Sequence, residues 1–357
     1  MRLLKDLEVS GKRIFLRADL DVDISNSELN KNVRLRNLLP SVDYLLENGA
    51  KQVIVAGHIG RPSPAASTDA KALADKSDGK PPNYDPNLST KNLVEPLERI
   101  LGRSVVFKDD LEFDEPESLK SLTQLLLLEN LRFWPGEEAN DAEFAKKLAD
   151  LADCYVNDAF AVCHRAHASM VGVPKLLPHA AGLHLQEEVE TLSKLLAQPE
   201  KPFVAIVGGA KIETKIPLIE NLSRVADKVL VGGYLPVEIE KDNVELPKNV
   251  LVATLGADKK DIDEVSVKKF SDVIAQAKTA VWNGPMGLYE DGFEKGTVAV
   301  AEALIEYAKY SVVGGGETSD FLASKKLLDS FSFVSSGGGA MLEFLSGKTL
   351  PAIAALE

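Results

Sequence analysis

The order of apolar and polar positions predicts buried strands that alternate with amphipathic helices along the chain. In the first half, short apolar runs of strand length occupy residues 13–19, 52–56, 104–107, 124–128 and 155–157. Apolar residues recur at helical spacing within residues 34–48, 90–101 and 141–152. This alternation is typical of parallel sheets, so it predicts an α/β fold. Residues 63–89 have no period and are rich in Ser, Ala, Lys, Asp and Pro, which predicts a long mobile surface loop.

The second half repeats the alternation after a break near residue 200. A predicted helix over residues 183–196 ends at a proline-containing stretch, 198–202, where we place the junction between two domains. The predicted strands beyond it are 203–207, 228–231, 250–253, 279–282, 310–313 and 331–334. The predicted helices are 216–225, 265–277, 294–308, 318–328 and 340–346.

Composition restricts both the class of protein and its partners. Apolar residues make up 45% of the 357 residues, which is normal for a globular protein with a full core. A net charge of −13 argues against nucleic acid and anionic membranes as partners, whereas phosphate binding needs only local cations. The two cysteines, Cys154 and Cys163, form no metal or disulfide pattern, so we expect a cytoplasmic protein. No apolar window has the length of a membrane span, and the first residues do not resemble a signal peptide.

Three strands of the second half run directly into glycine-rich turns, at residues 208–209, 314–316 and 337–339. A turn without side chains lets the backbone approach a ligand, and the N–H groups of the following helix point toward it. Since parallel strands end at one edge of their sheet, the three turns predict one site for a phosphate-bearing ligand. Glu317 follows the second turn, where a carboxylate could hold a metal ion on that phosphate.

These features also have purely structural interpretations. Three glycines can form a tight turn from strand to helix, with Glu317 as the cap of that helix. Lys211 and Lys215, after the first glycine turn, could be solvated loop residues. We expect them at the mouth of a helix whose first turn contains Pro217. The recurrence of the glycine turn favours the phosphate site.

Cationic side chains of the first half follow the ends of predicted strands or open the first helix. They are Arg17, Arg34, His58, Arg61, Arg132 and Arg165. A single loop arginine is most often a solvated surface residue, but several at one sheet edge predict a basic basin. Guanidinium groups suit carboxylate and phosphate oxygens because each can bind two at once. His164 and His167 lack the acidic companions that a metal site would need.

Eight short motifs occur in order along the chain. In the first half they are RADLDV at 17–22, HIGRP at 58–62, ENLRF at 129–133, and NDAF with HRAHAS within 157–169. In the second half they are GGAK at 208–211, WNGPMG at 282–287, GGGET at 314–318 and SGGGA at 336–340. Each is weak alone, but the eight in register resemble the phosphoglycerate kinase family over nearly the whole chain.

The resemblance implies two Rossmann-like three-layer αβα domains with parallel sheets that face each other across a hinged cleft. The first, residues 1–182 completed by a tail at about 345–357, would bind 3-phosphoglycerate through Asp19, Asp21, Arg34, His58, Arg61, Arg132 and Arg165. Residues 183–199 would form an interdomain helix. The second domain, 200–344, would bind ADP or ATP through Gly208, Lys211, Lys215, Asn283, Glu290, Gly314, Gly315, Gly316, Glu317 and Thr318. Glu317 would hold Mg²⁺, and the expected protein is a monomer.

The implied activity is reversible phosphoryl transfer between 1,3-bisphosphoglycerate and ADP, which gives 3-phosphoglycerate and ATP. Such a transfer needs in-line placement and charge neutralisation more than acid–base groups. Arg34 and Lys215 would stabilise the moving phosphoryl with the amides of Gly315 and Gly338, while Mg²⁺ would neutralise the nucleotide phosphates. With substrates on separate domains, the cleft would close in each turnover.

Several positions depart from the family's motifs. Asp21 replaces Asn, Asp23 replaces Pro and Glu317 replaces Asp. At residues 232–236 the family's Gly-Gly-Gly-Met-Ala reads Gly-Gly-Tyr-Leu-Pro, and a strand–helix segment beyond it is missing. Because Pro236 argues against an ordinary helix interior starting there, we expect a trimmed and more open base pocket with weaker or altered base selectivity and with phosphate binding retained. Equal use of ADP and GDP would support this expectation.

The departures leave a second hypothesis, a catalytically weak or silent homologue that binds 3-phosphoglycerate or nucleotide. A dinucleotide-dependent dehydrogenase is a poor third, because no G-x-G-x-x-G motif opens a βαβ unit with an acidic residue at the right distance.

Overall fold

Two parallel sheets, each flanked by helices, organise the chain. The computed structural model describes residues 1–26, 28–63, 80–111 and 124–357. By their contacts these residues divide into two units: unit 1 is Met1–Glu187 with Leu350–Glu357, and unit 2 is Glu188–Thr349. The predicted α/β architecture with parallel sheets is confirmed in both units.

In unit 1, six strands of the described residues pair in parallel in the order β3-β4-β2-β1-β5-β6. Their bounds are β1 (Arg13–Arg17), β2 (Gln52–Ala56), β3 (Val105–Lys108), β4 (Leu125–Leu128), β5 (Cys154–Asn157) and β6 (His179–Ala181). Every residue of β4 and β5 is buried, as expected for strands covered on both faces. β1 lies between β2 and β5. The direction in which successive strands are added to the sheet reverses at β1, so the carboxyl ends of these strands form a topological switch point.

Several helices of unit 1 begin at polar caps or at prolines. They are α1 (Val33–Arg36), α2 (Leu39–Glu47), α3 (Val94–Leu101), α4 (Pro135–Glu138) and α5 (Ala142–Asp150), and α6 (Leu183–Ala197) leads into unit 2. The side chain of Asn32 accepts from the N–H of Arg34 and so caps α1. Asp141 caps α5 in the same way, by accepting from the N–H of Phe144 at 2.8 Å.

Three predictions for unit 1 differ from the structure. The helix predicted over 34–48 is two helices, because Pro40 lacks an N–H and lies in the first turn of α2 rather than inside a continuous helix. The first strand ends at Arg17 rather than at residue 19. The short strand β6 was not predicted. Of the loop predicted over 63–89, residues 64–79 lie outside the described residues, and Pro86–Leu88 forms a 3₁₀ turn.

In unit 2, six described strands pair in parallel in the order β12-β11-β10-β7-β8-β9. Their bounds are β7 (Phe203–Val207), β8 (Lys228–Val231), β9 (Val250–Val252), β10 (Thr279–Asn283), β11 (Tyr310–Gly314) and β12 (Phe333–Ser335). The helices are α7 (Ile212–Ser223), α8 (Leu235–Lys241), α9 (Glu264–Ile274), α10 (Lys295–Tyr307), α11 (Gly316–Ser324) and α12 (Gly338–Leu345). This strand order is that of dinucleotide-binding folds, in which ligands bind where the winding reverses, here between β7 and β10.

Two prolines of unit 2 do not behave as predicted. Helix α7 begins at Ile212, so Pro217 lies inside the helix and not in its first turn. Helix α8 begins at Leu235, so the expectation that Pro236 prevents a helix at this place is wrong. Pro236 is tolerated because it lies in the first turn, where a backbone N–H has no partner within the helix.

The last residues pack in unit 1. They include α13 (Pro351–Ala354), and Leu350 and Leu356 are almost fully buried. The N–H of Ala352 donates to the carbonyl of Cys163 at 3.1 Å, and the N–H of Arg2 donates to the carbonyl of Leu356 at 3.2 Å. Among the described residues, no helix combines the length and apolar character needed to cross a membrane.

Candidate active site

A buried arginine organises the carboxyl edge of the sheet in unit 1. Arg17 ends β1 and is fully buried. Its Nε donates to Oγ of Ser169 at 2.9 Å, its Nη2 donates to Nδ1 of His58 at 2.9 Å, and its Nη1 donates to the carbonyl of Ala18. Oγ of Ser169 in turn donates to the buried carboxyl of Glu137 at 2.5 Å. The guanidinium is thus held rigidly beneath the loops that follow β1, β2 and β5.

His58 and Asp21 meet above this arginine. His58 is 3% exposed, and burial together with the charge of Arg17 holds its pKa well below its usual value, so the ring is neutral. Its Nε2 lies 3.8 Å from Oδ2 of Asp21, and Oδ1 of Asp21 accepts from the N–H of Gly60 at 2.8 Å. Asp21 therefore fixes the turn after β2, which gives this carboxylate a structural use.

Arg34 and Asp19 form the partly open side of the cluster. Nη1 of Arg34 lies 3.4 Å from Oδ2 of Asp19 and donates to the carbonyl of Asp21 at 3.2 Å. Burial raises the pKa of Asp19 although the charge of Arg34 opposes that shift. The side chain of Arg34 stays 32% exposed, so part of the guanidinium can reach a ligand.

Arg132, Arg61 and Arg165 extend this positive region. Nη1 of Arg132 donates to the carbonyl of Gly60 at 2.6 Å, and its Nε lies 3.1 Å from Oε1 of Glu138. Arg61 and Arg165 are exposed. Burial, joined by the charges of Arg17 and Arg61, lowers the pKa of Arg132 against the opposing charges of Glu138 and Asp21. Burial with the charges of Arg132, Arg17 and Arg165 lowers the pKa of His167 to about 4.

The structure thus brings together the seven residues predicted for this site, by direct contact or by electrostatic reach. Arg17, which was predicted as a cation of the basic basin, is instead fully buried beneath it, and the buried Glu137 was not predicted. The supporting role of Arg17 had a signal in the sequence, since an arginine at the end of an apolar strand has to find partners when that strand is buried.

In unit 2, the turns after β7 and β10 pack backbone against backbone. A Cβ atom on Gly208 would lie 2.1 Å from the carbonyl oxygen of Pro285, and one on Gly284 would lie 2.2 Å from that of Gly208. The N–H of Gly284 donates to Oγ1 of Thr318 at 2.9 Å, which ties these turns to α11. Glycine is therefore required at Gly208 and Gly284 by packing inside the protein.

The turn after β11 is different. Gly315 has φ +104°, which favours glycine, but a Cβ on Gly316 would meet no atom within 4 Å. A Cβ on Gly338 would lie 3.4 Å from the backbone nitrogen of Gly316, so the turns after β11 and β12 are neighbours. The open space over Gly316 is what the approach of a ligand to bare backbone requires.

Lys215 is a buried cation beside these turns. It lies in the first turn of α7, is 8% exposed, and its Nζ donates to Oδ1 of Asn283. Burial lowers the pKa of Lys215 to about 8, against the opposing charge of Glu317. Lys211 is exposed at the N-cap position of the same helix. Both lysines therefore lie at the start of the helix, but Lys211 is exposed and Lys215 is buried.

A cavity of about 430 Å³ opens next to the first glycine turn. Its lining includes Gly209, Tyr234, Leu288, Glu290 and Glu317. Glu317 and Glu290 thus share this space, which fits their predicted place at a nucleotide site. Within the described ranges, no group of three or more His, Cys, Asp or Glu side chains could hold a metal ion by itself.

The comparisons with known proteins agree with this geometry. The family model described as phosphoglycerate kinase matches residues 4–250 and 237–348. The phosphoglycerate kinase of Wolinella succinogenes is 36% identical over 99% of this chain and 96% of its own length. That of Moorella thermoacetica is 38% identical over 99% of this chain and 98% of its own length.

Solved structures of the same family also superpose along the chain. The phosphoglycerate kinase from Coxiella burnetii is 31% identical with a TM-score of 0.77, over 100% of this chain and 99% of that one. The enzyme from Pyrococcus horikoshii OT3 is 28% identical with a TM-score of 0.78, over 100% of this chain and 98% of that one. These findings show that the chain belongs to the phosphoglycerate kinase family of phosphotransferases, and they confirm the family and enzyme class predicted from its motifs.

Proposed function

We propose that the chain catalyses reversible phosphoryl transfer between 1,3-bisphosphoglycerate and ADP, and that Lys215 is its central cation. The observation that carries the proposal is that this buried ammonium is hydrogen-bonded to a neutral amide, that of Asn283. Burying a cation is costly unless an anion compensates it. A phosphate bound over the adjacent glycine turns would supply that anion, and it would raise the pKa of Lys215 back toward its usual range.

Unit 1 is the proposed site of 3-phosphoglycerate. The substrate carries a carboxylate and a phosphate, and the cluster offers partly exposed Arg34 with exposed Arg61 and Arg165. Guanidinium groups bind either kind of anion through two parallel hydrogen bonds. Neutral His58 can donate from Nε2 because Arg17 occupies its Nδ1. Asp19 orients Arg34 and can accept from the substrate hydroxyl.

Unit 2 is the proposed site of the nucleotide. The unfilled space over Gly316 allows phosphate oxygens to reach backbone N–H groups at the start of α11. Lys211 and Lys215 would supply positive charge to the same phosphates. Gly315 and Gly338 lie beside this place, so their amides can face the transferring group.

A magnesium ion fits the residues present. Kinases bind Mg²⁺ through one or two carboxylates and the substrate phosphates, not through a complete protein cage. Glu317 is an exposed carboxylate on the cavity and within electrostatic range of Lys215, so it can serve in this way. When bound, the ion would neutralise charge on the nucleotide phosphates.

The transfer itself needs in-line placement of acceptor, phosphoryl and leaving oxygen. Arg34 and Lys215 would neutralise the charge that develops on the equatorial oxygens, and the glycine amides would orient them. Because the proposed substrates bind to different units, we infer that the units close on each other during turnover. A cytoplasmic location and a monomeric state stay predictions of the sequence.

A coupled assay of ATP formation from 1,3-bisphosphoglycerate and Mg-ADP tests the proposal directly. We expect turnover that is lost in Lys215→Met and retained within about twofold in Lys348→Met, a matched change of an exposed lysine in the same unit. Calorimetric titration with 3-phosphoglycerate and with ADP distinguishes the proposed enzyme from the alternative, a silent homologue that binds its ligands. Binding of both ligands without turnover would contradict the proposal and identify a silent homologue.

A further inference from the structure

A fully buried amide joins the turns after β2 and β4 in unit 1. Asn130 follows β4 and is 0% exposed. Its Nδ2 donates to the carbonyl of Ile59 at 2.8 Å and to that of Leu88 at 2.9 Å. Its Oδ1 accepts from the N–H of Arg132 at 3.1 Å. Both N–H groups and the oxygen of this amide are thus engaged within the protein, which leaves the side chain no free donor for a ligand.

These contacts connect three segments that are distant along the chain. Ile59 belongs to the turn after β2, Leu88 to the segment before α3, and the amide to the turn after β4. The backbone repeats the first connection, because the N–H of Leu131 donates to the carbonyl of Gly57 at 3.0 Å. The carbonyls of Gly57, Ile59 and Gly60 therefore all face the turn after β4.

The two joined turns carry like charges. Arg61 lies in the turn after β2, and Arg132 lies in the turn after β4. Burial, joined by the charges of Arg17 and Arg61, lowers the pKa of Arg132, so the three guanidinium groups lie within electrostatic reach. Oε1 of Glu138 lies 3.1 Å from Nε of Arg132 and offsets part of the repulsion, but the Glu138 side chain is 59% exposed. The remaining repulsion favours separation of the turns, and the hydrogen bonds of Asn130 oppose it.

We propose that Asn130 is a positioning residue for 3-phosphoglycerate, because it holds the turns that carry Arg61 and Arg132 at a fixed spacing before the substrate binds. The identity of the ligand rests on the proposed function. Cationic groups that are already held together do not have to overcome their mutual repulsion when an anion arrives, and this preorganisation increases affinity. Since its amide is buried, Asn130 acts through these arginines without touching the substrate.

Calorimetric titration of the intact protein with 3-phosphoglycerate and with ADP tests this inference. The variant is Asn130→Ser, whose hydroxyl can still accept from the N–H of Arg132 as the cap of the following 3₁₀ turn but is too short to reach the other two segments. Asn130→Thr keeps the same cap, fills more of the buried space and serves as the second variant. The matched control is Asn92→Ser, because Nδ2 of the exposed Asn92 also donates to two carbonyls of unit 1, those of Pro86 and Ser89.

The expected signature is a loss of affinity that depends on salt. At about 0.01 M salt, where the Debye length is about 30 Å, we expect Asn130→Ser and Asn130→Thr to raise the Kd of 3-phosphoglycerate about tenfold. At about 1 M salt the Debye length is about 3 Å, so the ratio of variant to native Kd should fall to about threefold or less. The Kd of ADP in every variant, and both Kd values in Asn92→Ser, should stay within about twofold of native. Urea denaturation checks that each variant is folded at the temperature of the titration.

Two results would overturn the inference. One is a Kd of 3-phosphoglycerate that both substitutions of Asn130 leave within twofold at low salt. The other is a loss of affinity of the same size at both salt concentrations, which would mean that the amide supports the fold of the turns and does not counter charge repulsion. The titrations need no turnover, so the native protein could show this pattern and still fail in the coupled assay. Absence of 3-phosphoglycerate binding by the native protein would overturn the inference together with the substrate assigned to unit 1.

Discussion

Arg17 donates from Nη2 to Nδ1 of His58 over 2.9 Å, where neither residue is more than 3% exposed. Because a guanidinium only donates, Nδ1 is the acceptor, and the proton of the neutral ring lies on Nε2, toward Asp21. Burial and the charge of Arg17 hold the pKa of His58 well below its usual value. The pair therefore presents a fixed neutral donor at the edge of a positive cluster.

The pH dependence of catalysis should report Lys215. Its pKa is about 8 because burial penalises the ammonium, so the cation that neutralises phosphate is present below pH 8 and is lost above it. We expect kcat/KM for ADP to fall above about pH 8, since this constant follows the free enzyme. The alkaline limb of the kcat profile should lie at higher pH, because bound phosphate favours the charged form of Lys215.

Lys215→Arg is the control for this assignment, since arginine stays charged throughout the range. It should be less active and should lack the alkaline limb. The lowered pKa of Lys215 also affects the stability of the native protein. Between the pKa of about 8 in the folded protein and the usual 10.5, the unfolded chain binds more protons, so this residue's contribution to stability rises with pH. An unchanged alkaline limb in Lys215→Arg would refute the assignment.

Arg34 should matter for the rate, and its neighbour Arg36 should not. Arg34 faces Asp19 and keeps part of its guanidinium open, whereas Arg36 is exposed at the end of α1. We expect Arg34→Met to lower kcat by about 10²–10³-fold, the cost of removing one donor from a developing anion. Arg36→Met should stay within about twofold. Similar losses in the two variants, measured in the coupled assay, would show that Arg34 contributes only net charge.

Ser169 should be a stability residue of the cluster. Its Oγ accepts from Nε of Arg17 at 2.9 Å and donates to Oε1 of Glu137 at 2.5 Å, both in the interior. Ser169→Ala leaves these two buried groups short of a partner, so we expect a loss of about 2 kcal/mol or more in the free energy of unfolding. Urea denaturation measures it.

Ser25→Ala is the matched control for that measurement. Oγ of Ser25 donates to Asp23 on an exposed loop, so its removal should cost less than about 0.5 kcal/mol. Equal losses for Ser25→Ala and Ser169→Ala would contradict the view that the buried chain of hydrogen bonds stabilises unit 1.

Substitutions at two glycines should distinguish an effect on stability from an effect on phosphate binding. Gly208→Ala places a methyl group 2.1 Å from the carbonyl of Pro285, so it should destabilise unit 2. Gly316→Ala places one in open space at the start of α11, so it should leave the free energy of unfolding unchanged or raise it by about 0.5–1 kcal/mol. The same variant should weaken tripolyphosphate binding, because the methyl group would occupy the space that the phosphate needs. Native-like affinity in Gly316→Ala would place the phosphate elsewhere.

The strands and the site residues were predictable for the same reason. Runs such as those of β4 and β7 are apolar throughout, which is typical of strands buried on both faces, and parallel strands bring the residues after them to one edge. Once β2 and β4 were placed side by side in one sheet, the meeting of His58 and Arg132 was expected from topology, whereas the place of Arg34 depends on the loop between β1 and α1.

The failures are local. β6 is three residues long, His179–Ala181, and has neither β-branched residues nor alternation, so only its pairing with β5 defines it. The roles of Pro40, Pro217 and Pro236 depended on where each helix begins, and helix ends are set by caps and packing that a periodicity does not contain. The neutral state of His58 depends on burial, which only the fold determines.

The packing of residues 350–357 in unit 1 has a consequence for the order of folding. During translation the first 187 residues leave the ribosome long before Leu350 is added, and all of unit 2 is synthesised in between. During that interval the backbone N–H of Arg2 and the backbone carbonyl of Cys163 lack the partners that Leu356 and Ala352 later supply. Nascent unit 1 is therefore incomplete until translation has passed through its neighbour, so its final consolidation is a late, long-range event.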